Sequence, residues 1–273
     1  MNTIILHSQE QQLATQISEK ISASVERRST HFRLYSDYSS SLNDLRKEFQ
    51  VDLNYLPNAF DFSQVALFVS DMDSTLISIE CIDEIADFAN LKPQVVAITE
   101  KTMRGDLDFN VSLVERVALL KGLGIEVLDR VYTERLRVNS GGKELVQFLK
   151  MQGIKTAVVS GGFRYFTQRL AQDIGLDYER ANTLAIENNH LTGKVEGDII
   201  NATAKAEFVA ELCAKHQVLP SQVIAVGDGV NDLEMMAVAG LSVAYHAKPA
   251  VIERADIVIN YGSLDIIIDF FDD

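Results

Sequence analysis

The chain has 273 residues, 47% hydrophobic and 23% charged, which is enough to bury one large or two smaller cores and excludes an intrinsically disordered polypeptide. Its net charge of −14 at pH 7 argues against nucleic acid or an anionic membrane as the main partner. Two cysteines, Cys81 and Cys213, provide neither a disulfide framework nor zinc-ligand spacing. Since neither a signal peptide pattern nor a membrane-spanning apolar run occurs, a cytoplasmic protein is expected.

The first 62 residues alternate short strand and helix patterns. Residues 3–6 and 31–35 have strand patterns, and Leu13, Ile17 and Ile21 have helical spacing. This segment carries no chemical motif, and a module of this size is marginally stable alone. We therefore expect residues 1–62 to form a small α/β module docked on the rest of the chain, with a structural or regulatory role favoured and ligand sensing as the alternative.

A helical region follows the first strand of the next segment. The apolar run from Val65 to Val69 predicts a buried strand, and residues 80–139 have helical patterns throughout. This region is too long for a single crossover helix, and it lies beside the carboxyl end of the strand. We expect residues 80–139 to form a helical cap, or lid, and residues 63–79 and 140–273 to form the core.

Beyond residue 140, strands and helices alternate, which is typical of a mostly parallel sheet. Three of the predicted strands end in polar residues. Asp71 and Asp73 follow the first, residues 160–162 (Ser-Gly-Gly) follow the second, and residues 227–229 (Gly-Asp-Gly) follow the third. Because the carboxyl ends of parallel strands share one edge of the sheet, these residues are expected to converge.

The types of these residues indicate metal-dependent phosphate chemistry. Two carboxylates around a turn require a cation, and Asp71 beside Asp228 offers the hard oxygen ligands that suit Mg²⁺. Ser160 and the glycines after it predict an anion seat at the start of a helix expected to begin at Gly162, and Lys205 supplies a positive charge for a phosphate. Neither a Walker phosphate loop nor a complete dinucleotide fingerprint occurs. A magnesium-dependent enzyme is the resulting hypothesis.

The ordered set of motifs resembles the haloacid dehalogenase-like superfamily, and within it the phosphoserine phosphatase family. The resemblance covers about residues 65–260 and includes substrate-binding stretches around Glu80 and Arg116. It implies an α/β fold: a Rossmann-like parallel sheet with helices on both faces, and a helical cap inserted after the first core strand, beside the small N-terminal α/β module. The four motifs are Asp71-Met72-Asp73-Ser74-Thr75, Ser160-Gly161-Gly162, Lys205, and Gly227-Asp228-Gly229-Val230-Asn231-Asp232.

The resemblance also implies a role for each site residue. Asp71 would attack phosphorus and form an aspartyl-phosphate, while Asp73 would protonate the leaving serine oxygen and then deprotonate the hydrolytic water. Mg²⁺ would bind Asp71, Asp228 and the backbone carbonyl of Asp73, with Asp232 holding ligands or metal-bound water. The implied substrate contacts are Ser160, Gly161, Lys205 and Asn231 to the phosphoryl group, Glu80 to the ammonium and Arg116 to the carboxylate.

Alternatives stay open at this point. The leading function is hydrolysis of the small molecule O-phosphoserine, the last step of serine biosynthesis. The others are phosphoryl transfer to a different small alcohol, and a serine or phosphate sensor without turnover, against which the intact pair Asp71 and Asp73 argues. Without the family match, Glu80 and Arg116 also fit a solvated helix face or an ion pair. A homodimer is one of the oligomeric states left open.

Overall fold

The computed structural model describes residues 1–272, and the side chain of Met103, which belongs to the cap, lies outside the described part. The strands of the described chain are β1 (Asn2–Leu6), β2 (Ser24–Arg27), β3 (Phe32–Ser36), β4 (Leu53–Tyr55), β5 (Leu67–Ser70), β6 (Lys155–Phe163), β7 (Tyr178–Glu187), β8 (His190–Glu196), β9 (Val223–Gly227), β10 (Leu241–Tyr245) and β11 (Ile257–Ile259). Its α-helices are α1 (Gln11–Ile21), α2 (Asn43–Phe49), α3 (Cys81–Phe88), α4 (Lys92–Met103), α5 (Phe109–Leu119), α6 (Glu126–Arg130), α7 (Gly142–Met151), α8 (Arg164–Ile174), α9 (Ala202–His216), α10 (Leu233–Val238) and α11 (Pro249–Ile252).

The N-terminal module is a four-stranded antiparallel sheet in the order β2-β3-β1-β4. Alternation places Ile4, Leu6, Phe32 and Leu34 on one face, where they are buried in a common core with Ile17 of α1. The opposite face is turned toward the rest of the chain. The edge strand β2 was not predicted from the sequence, because its four residues are all exposed and lack a buried face.

The module is fixed to the edge strand β11 of the second sheet by buried side chains. Asn54 donates to the carbonyl of Val258 (3.0 Å) and accepts from its N–H (2.9 Å). The Asp52 carboxylate accepts from the backbone N–H groups of Asn260 (2.7 Å), Tyr261 (3.1 Å) and Gly262 (2.7 Å). Since buried polar groups are costly to leave unpaired, these bonds fix the module in one position.

The second sheet has the order β11-β10-β9-β5-β6-β7-β8 and is parallel except for the β7–β8 hairpin. Both of its faces are buried, as the apolar runs of its central strands predict. Phe68 packs into a core with Leu145 and Leu149 of α7, whereas Leu67 packs into another core with Phe208 of α9. The expected α/β fold with helices on both faces is thus confirmed.

A helical cap, α3 to α6, is inserted between β5 and α7, as expected. The β7–β8 hairpin contacts the cap from the core side. Leu191 exchanges backbone hydrogen bonds with Gly122 and Leu123 (both 2.8 Å). In the described part of the chain, every helix is too short or too polar to cross a bilayer.

Candidate active site

The central strands β9, β5 and β6 are neighbours, and their carboxyl ends open into a cleft of about 790 Å³ beneath the cap. This position follows from the parallel order, which gathers the three motif-bearing loops at one edge. Lys205 and Asp232 lie behind the cleft wall and are buried. The other residues singled out from the sequence all line the cleft: Asp71, Asp73, Glu80, Arg116, Ser160, Gly161, Asp228 and Asn231.

Asp71 ends β5 in direct contact with the buried Lys205. The Lys205 Nζ lies 2.6 Å from Asp71 Oδ1 and 2.7 Å from Asp232 Oδ1. Burial alone would lower the pKa of Lys205, but the carboxylates of Asp232 and Asp71 raise it above its usual value, so the ammonium stays charged. Lys205 therefore orients the Asp71 carboxylate and supplies positive charge beside it.

The acidic groups around Lys205 outnumber it, which favours a divalent cation. Burial and the nearby Asp232 raise the pKa of Asp71 well above its usual range, and burial with Asp232 raises that of Asp228 to about 6. One carboxylate oxygen from each of Asp71, Asp228 and Asp232 lies within 4.8 Å of the others. Hard oxygen donors with surplus negative charge suit a metal such as Mg²⁺.

Within this cluster, Asp232 is already engaged by protein groups. Besides contacting Lys205, it accepts from the backbone N–H groups of Asp228 (3.2 Å) and Gly229 (3.0 Å). Asp228 is in turn held by Thr75, whose Oγ1 donates to its Oδ1 at 3.1 Å. Asp232 thus holds the loop after β9 in shape. Its hydrogen bonds are those of a residue that orients candidate metal ligands such as Asp228 and does not itself bind the ion.

Among the described residues, no cationic side chain contacts the carboxylate of Asp73. Its Oδ1 accepts from the Cys81 N–H (2.9 Å) at the start of α3, and its Oδ2 accepts from the Ser160 hydroxyl (3.1 Å). Burial raises the pKa of Asp73, although these hydrogen bonds partly oppose the rise. Asp73 therefore stands between the core and the cap with a carboxyl group that is able to hold a proton.

Residues 160–162 belong to the end of β6 and not to the start of a helix, which was expected there. The register with β7 shifts between Val159 and Phe163, and α8 begins at Arg164 rather than at Gly162. The Gly162 N–H is occupied, because it donates to Ser160 Oγ at 2.8 Å. Gly161, which lines the cleft, is held by Asn182, whose side chain donates to its carbonyl at 2.9 Å.

Glu80 and Arg116 reach the same cleft from the cap. The Ser74 hydroxyl donates to Glu80 Oε1 at 2.7 Å. Although water reaches Glu80, the protein packed around it and the negative charge of Asp73 raise its pKa to about 7. Arg116 is partly buried, which lowers its pKa, while Asp83 and Glu80 oppose this shift. The cleft thus presents a carboxyl group and a cationic guanidinium group to a ligand.

Sequence reasoning missed two residues of this site. Lys248 lines the cleft, and its backbone N–H donates to the Asp228 carbonyl at 3.0 Å. It follows β10, a neighbour of β9, so the parallel order of strands could have drawn attention to it. Asn182 lies inside β7, where nothing in the sequence distinguishes it. Phe109, for which the sequence fits pocket lining and helix packing equally, lines the cleft, and its ring faces Gly161, where an added Cβ would lie 3.0 Å from Phe109 Cζ.

Comparison with known proteins places this site in a family. A sequence model of the haloacid dehalogenase-like hydrolases matches residues 65–240, which include all four motifs. The chain belongs to this family of haloacid dehalogenase-like hydrolases.

Individual relatives are more specific. A phosphoserine phosphatase from a Polaromonas species is 50% identical over 208 residues, or 74% of this chain and 88% of that protein. A HAD family hydrolase from Salmonella enterica serovar Typhi superposes with a TM-score of 0.91 at 31% identity, covering 100% of this chain and 99% of the other. A phosphoserine phosphatase solved as a phospho-aspartyl intermediate analogue has a TM-score of 0.71 at 40% identity, covering 76% of this chain and 98% of the other.

Proposed function

We propose that this chain hydrolyses O-phosphoserine to serine and phosphate, using Mg²⁺ and an aspartyl-phosphate on Asp71. The observation that carries the proposal is the pairing of two features in one cleft. The floor holds Asp71 against the buried Lys205, and the cap presents Glu80 and Arg116 to the same space. The phosphoserine phosphatase that is 50% identical supports this substrate.

The two aspartates would divide the chemistry. Asp71, held by Lys205, attacks phosphorus in line, so that one difficult displacement becomes two easier ones. Asp73 donates its proton to the serine oxygen as the phosphorus–oxygen bond breaks, and then takes a proton from the water that attacks the aspartyl-phosphate. The raised pKa of Asp73 supports this exchange of protons.

The phosphoryl group would be held by the loops around Asp71. Ser160, the amide of Gly161 and Lys205 contact the phosphoryl oxygens as charge develops, and Asn231 contacts or orients them from the loop after β9. Asp71, Asp228 and the backbone carbonyl of Asp73 would hold Mg²⁺, which when bound neutralises phosphoryl charge. The surplus of carboxylates over cations supports this ion.

The amino acid part of the substrate would be recognised by the cap. Glu80 accepts from the ammonium group, and the planar guanidinium of Arg116 pairs with the carboxylate through two parallel hydrogen bonds. Phe109, packed over Gly161, closes the space between these groups. Both ends of the serine are then fixed while its phosphate points at Asp71.

We also propose how the chain is divided. Residues 63–79 and 140–273 form the catalytic core, of which Asp273 lies outside the described residues. Residues 80–139 form a lid that excludes water from the cleft, and residues 1–62 form the docked module. The pairing of Asp73 with the Cys81 N–H supports a lid whose position is coupled to the catalytic acid. A cytoplasmic location fits an enzyme of this class.

A substrate panel tests the proposal. Phosphate release is measured with O-phosphoserine, O-phosphothreonine and a sugar phosphate, before and after chelation of divalent ions. We expect kcat/KM to be highest for O-phosphoserine, activity to vanish on chelation and Mg²⁺ to restore it. Asp71→Asn should abolish release, whereas Asp106→Asn, at an exposed position in the cap, should leave it unchanged.

Three results would count against the proposal. A higher kcat/KM for the sugar phosphate would mean that sugar phosphates, rather than phosphorylated amino acids, are the substrates. Labelled phosphate appearing on an added alcohol in preference to solution would make the chain a phosphotransferase. Binding of O-phosphoserine without turnover in the presence of Mg²⁺ would make it a sensor.

A further inference from the structure

A second cavity lies between the N-terminal module and the core. Its volume is about 290 Å³, near the lower end of small-molecule sites. One wall is the face of the module sheet that is turned away from α1 and α2, and the others are the linker after β4 and the C-terminal 3₁₀ helix (Leu264–Phe271). Its lining shares no residue with that of the catalytic cleft.

Arg33 is the unusual residue of this cavity. It lies in β3 opposite Ile5, and only 9% of its surface is exposed. Its Nε is buried without a hydrogen-bond partner, and no ion pair engages its guanidinium among residues 1–272. The carboxylate opposite it on β2, Glu26, attracts the charge of Arg33 without an ion-pair contact, because it is bonded to Arg28 at 3.2 Å and to the hydroxyl of Tyr35.

An arginine stays charged in proteins, and a buried charge is stable only when it is paired. Arg33 lines the cavity, and its buried Nε donates to no acceptor among the described residues. Its five N–H donors form a planar fork that matches a carboxylate or phosphate. This built-in donor set indicates an anionic ligand.

The other residues that line this cavity indicate which kind of anion it binds. The rings of Phe60, Phe62 and Phe270 form a continuous apolar wall, with centroids 4.9 Å apart for the first pair and 5.5 Å for the second. Asp61 lies at the exposed rim and accepts from the Ser63 N–H (3.0 Å) and hydroxyl (2.7 Å). Its negative charge disfavours a doubly charged phosphate, and the rings favour an apolar body.

We propose that this cavity binds a small monocarboxylate, whose apolar part lies against the three phenylalanine rings and whose carboxylate pairs with Arg33. Because the cavity is bounded by the module, the linker and the C-terminal helix together, its ligand binds only the docked arrangement. Occupancy therefore stabilises the contact between the module and the core.

Benzoate is a suitable probe, since it combines an aromatic ring with one carboxylate. Its affinity is measured by calorimetry for the wild type, Arg33→Met and Arg27→Met, the last being an exposed arginine on β2. We expect Arg33→Met to weaken binding at least about tenfold, as loss of a charge-assisted pair predicts. Arg27→Met should bind like the wild type, and benzyl alcohol, which lacks the carboxylate, should bind at least about tenfold more weakly than benzoate.

Inorganic phosphate is titrated in parallel, and a crystal of the wild type with 4-bromobenzoate locates the probe through the bromine. Unchanged kcat/KM for O-phosphoserine in Arg33→Met verifies that the variant is folded. The proposal is overturned if benzoate binds the wild type and Arg33→Met equally, if the wild type does not bind it, or if the bromine lies away from Arg33. Tighter binding of phosphate than of benzoate would overturn the class of ligand.

Discussion

Asp71 and Asp73 are separated by one residue, yet the fold gives them different surroundings. The chain turns sharply between them and Glu80, with Ser74 in the left-handed region at φ 60°. Asp71 therefore meets Lys205 in the core, while Asp73 meets the first amide of the cap helix α3. One turn of unusual backbone thus places Asp71, Asp73 and Glu80, the proposed nucleophile, proton carrier and substrate-binding acid, around the same cleft.

Substrate recognition is tested at the scale of single residues. Glu80→Ala and Arg116→Ala should each raise KM for O-phosphoserine by about 10-fold to 100-fold, because each removes one charged contact to the amino acid. KM for an aryl phosphate, which lacks both the ammonium and the carboxylate, should change less than about threefold. Steady-state kinetics on the two substrates measure this difference.

Glu115→Ala is the matched control, since Glu115 precedes Arg116 on α5 but is exposed. It should leave both KM values unchanged. Equal losses on the two substrates in Glu80→Ala or Arg116→Ala would refute their assignment to the amino acid part.

The residue types of the site were predictable, and several of their contacts were not. The paired acids Asp71 and Asp73 at a strand end indicate a bound cation in any fold. The order of the family's motifs then identified Asp228 and Lys205 as further site residues. That Lys205 contacts Asp71 and Asp232 together depends on α9 packing behind β5, since Lys205 and Asp71 are 134 positions apart in the chain. Thr75 belongs to the first motif, but its bond to Asp228, 153 positions away, was not predictable. Asn182, which donates to the Gly161 carbonyl, carries no pattern in the sequence.

At the scale of elements, the end of β6 is fitted closely to the end of β5. A Cβ added to Gly162 would lie 2.4 Å from Asp73 Oδ2 and 3.0 Å from Ser160 Oγ. Gly162→Ala should therefore displace the Asp73 carboxylate and lower kcat by about 100-fold, the range of one lost general acid. KM should change little, because Glu80 and Arg116 belong to other elements.

The comparison for this experiment is Gly161→Ala. Its Cβ would meet Phe109 Cζ at 3.0 Å, where a ring on the cap is able to shift, so the change should appear mainly in KM. Thermal melting of both variants checks that the fold is intact. A Gly162→Ala enzyme with normal kcat would show that Asp73 does not need its present position.

Patterns of apolar residues predicted the central strands well, because β5 and β9 are buried runs between turns. They predicted α8 to begin at Gly162, since the small residues after Ser160 resemble a helix start. The structure keeps residues 160–163 extended and begins α8 at Arg164, because the Gly162 N–H bonds Ser160 Oγ and the strand register shifts there. Tertiary contacts of this kind override local preference.

At the scale of the whole molecule, the module and the core form one continuous structure. The sequence predicted docking from the small size of the module but not its site, since Asn54 and Val258 are 204 residues apart. A second link joins the module to the 3₁₀ helix Leu264–Phe271. There Asp269 is buried, with its Oδ2 2.8 Å from His7 Nδ1 and its Oδ1 2.5 Å from Thr30 Oγ1.

This link predicts how stability depends on pH. Burial alone would raise the pKa of Asp269, but the hydrogen bonds of His31, His7 and Thr30 lower it well below its usual range. A carboxyl group whose pKa is lowered by folding stabilises the native state above its unfolded pKa of about 3.9, and this stabilisation is lost as the pH falls below that value. Asp269→Asn should therefore lower the free energy of unfolding by about 2 kcal/mol at pH 7, and by less at pH 3.

Urea unfolding of both proteins between pH 7 and pH 3 measures this difference. Asp44→Asn is the control, because Asp44 is exposed on α2 and has no hydrogen-bond or ion-pair partner in the described chain. Its difference from the wild type should stay near zero across the range. A difference for Asp269→Asn that is constant from pH 7 to pH 3 would mean that the charge of Asp269 contributes nothing to the contact between module and core. The hydrogen bonds of Asn54 and Asp52 would then account for docking without it, since the pairing of Asn54 with Val258 involves no ionised group.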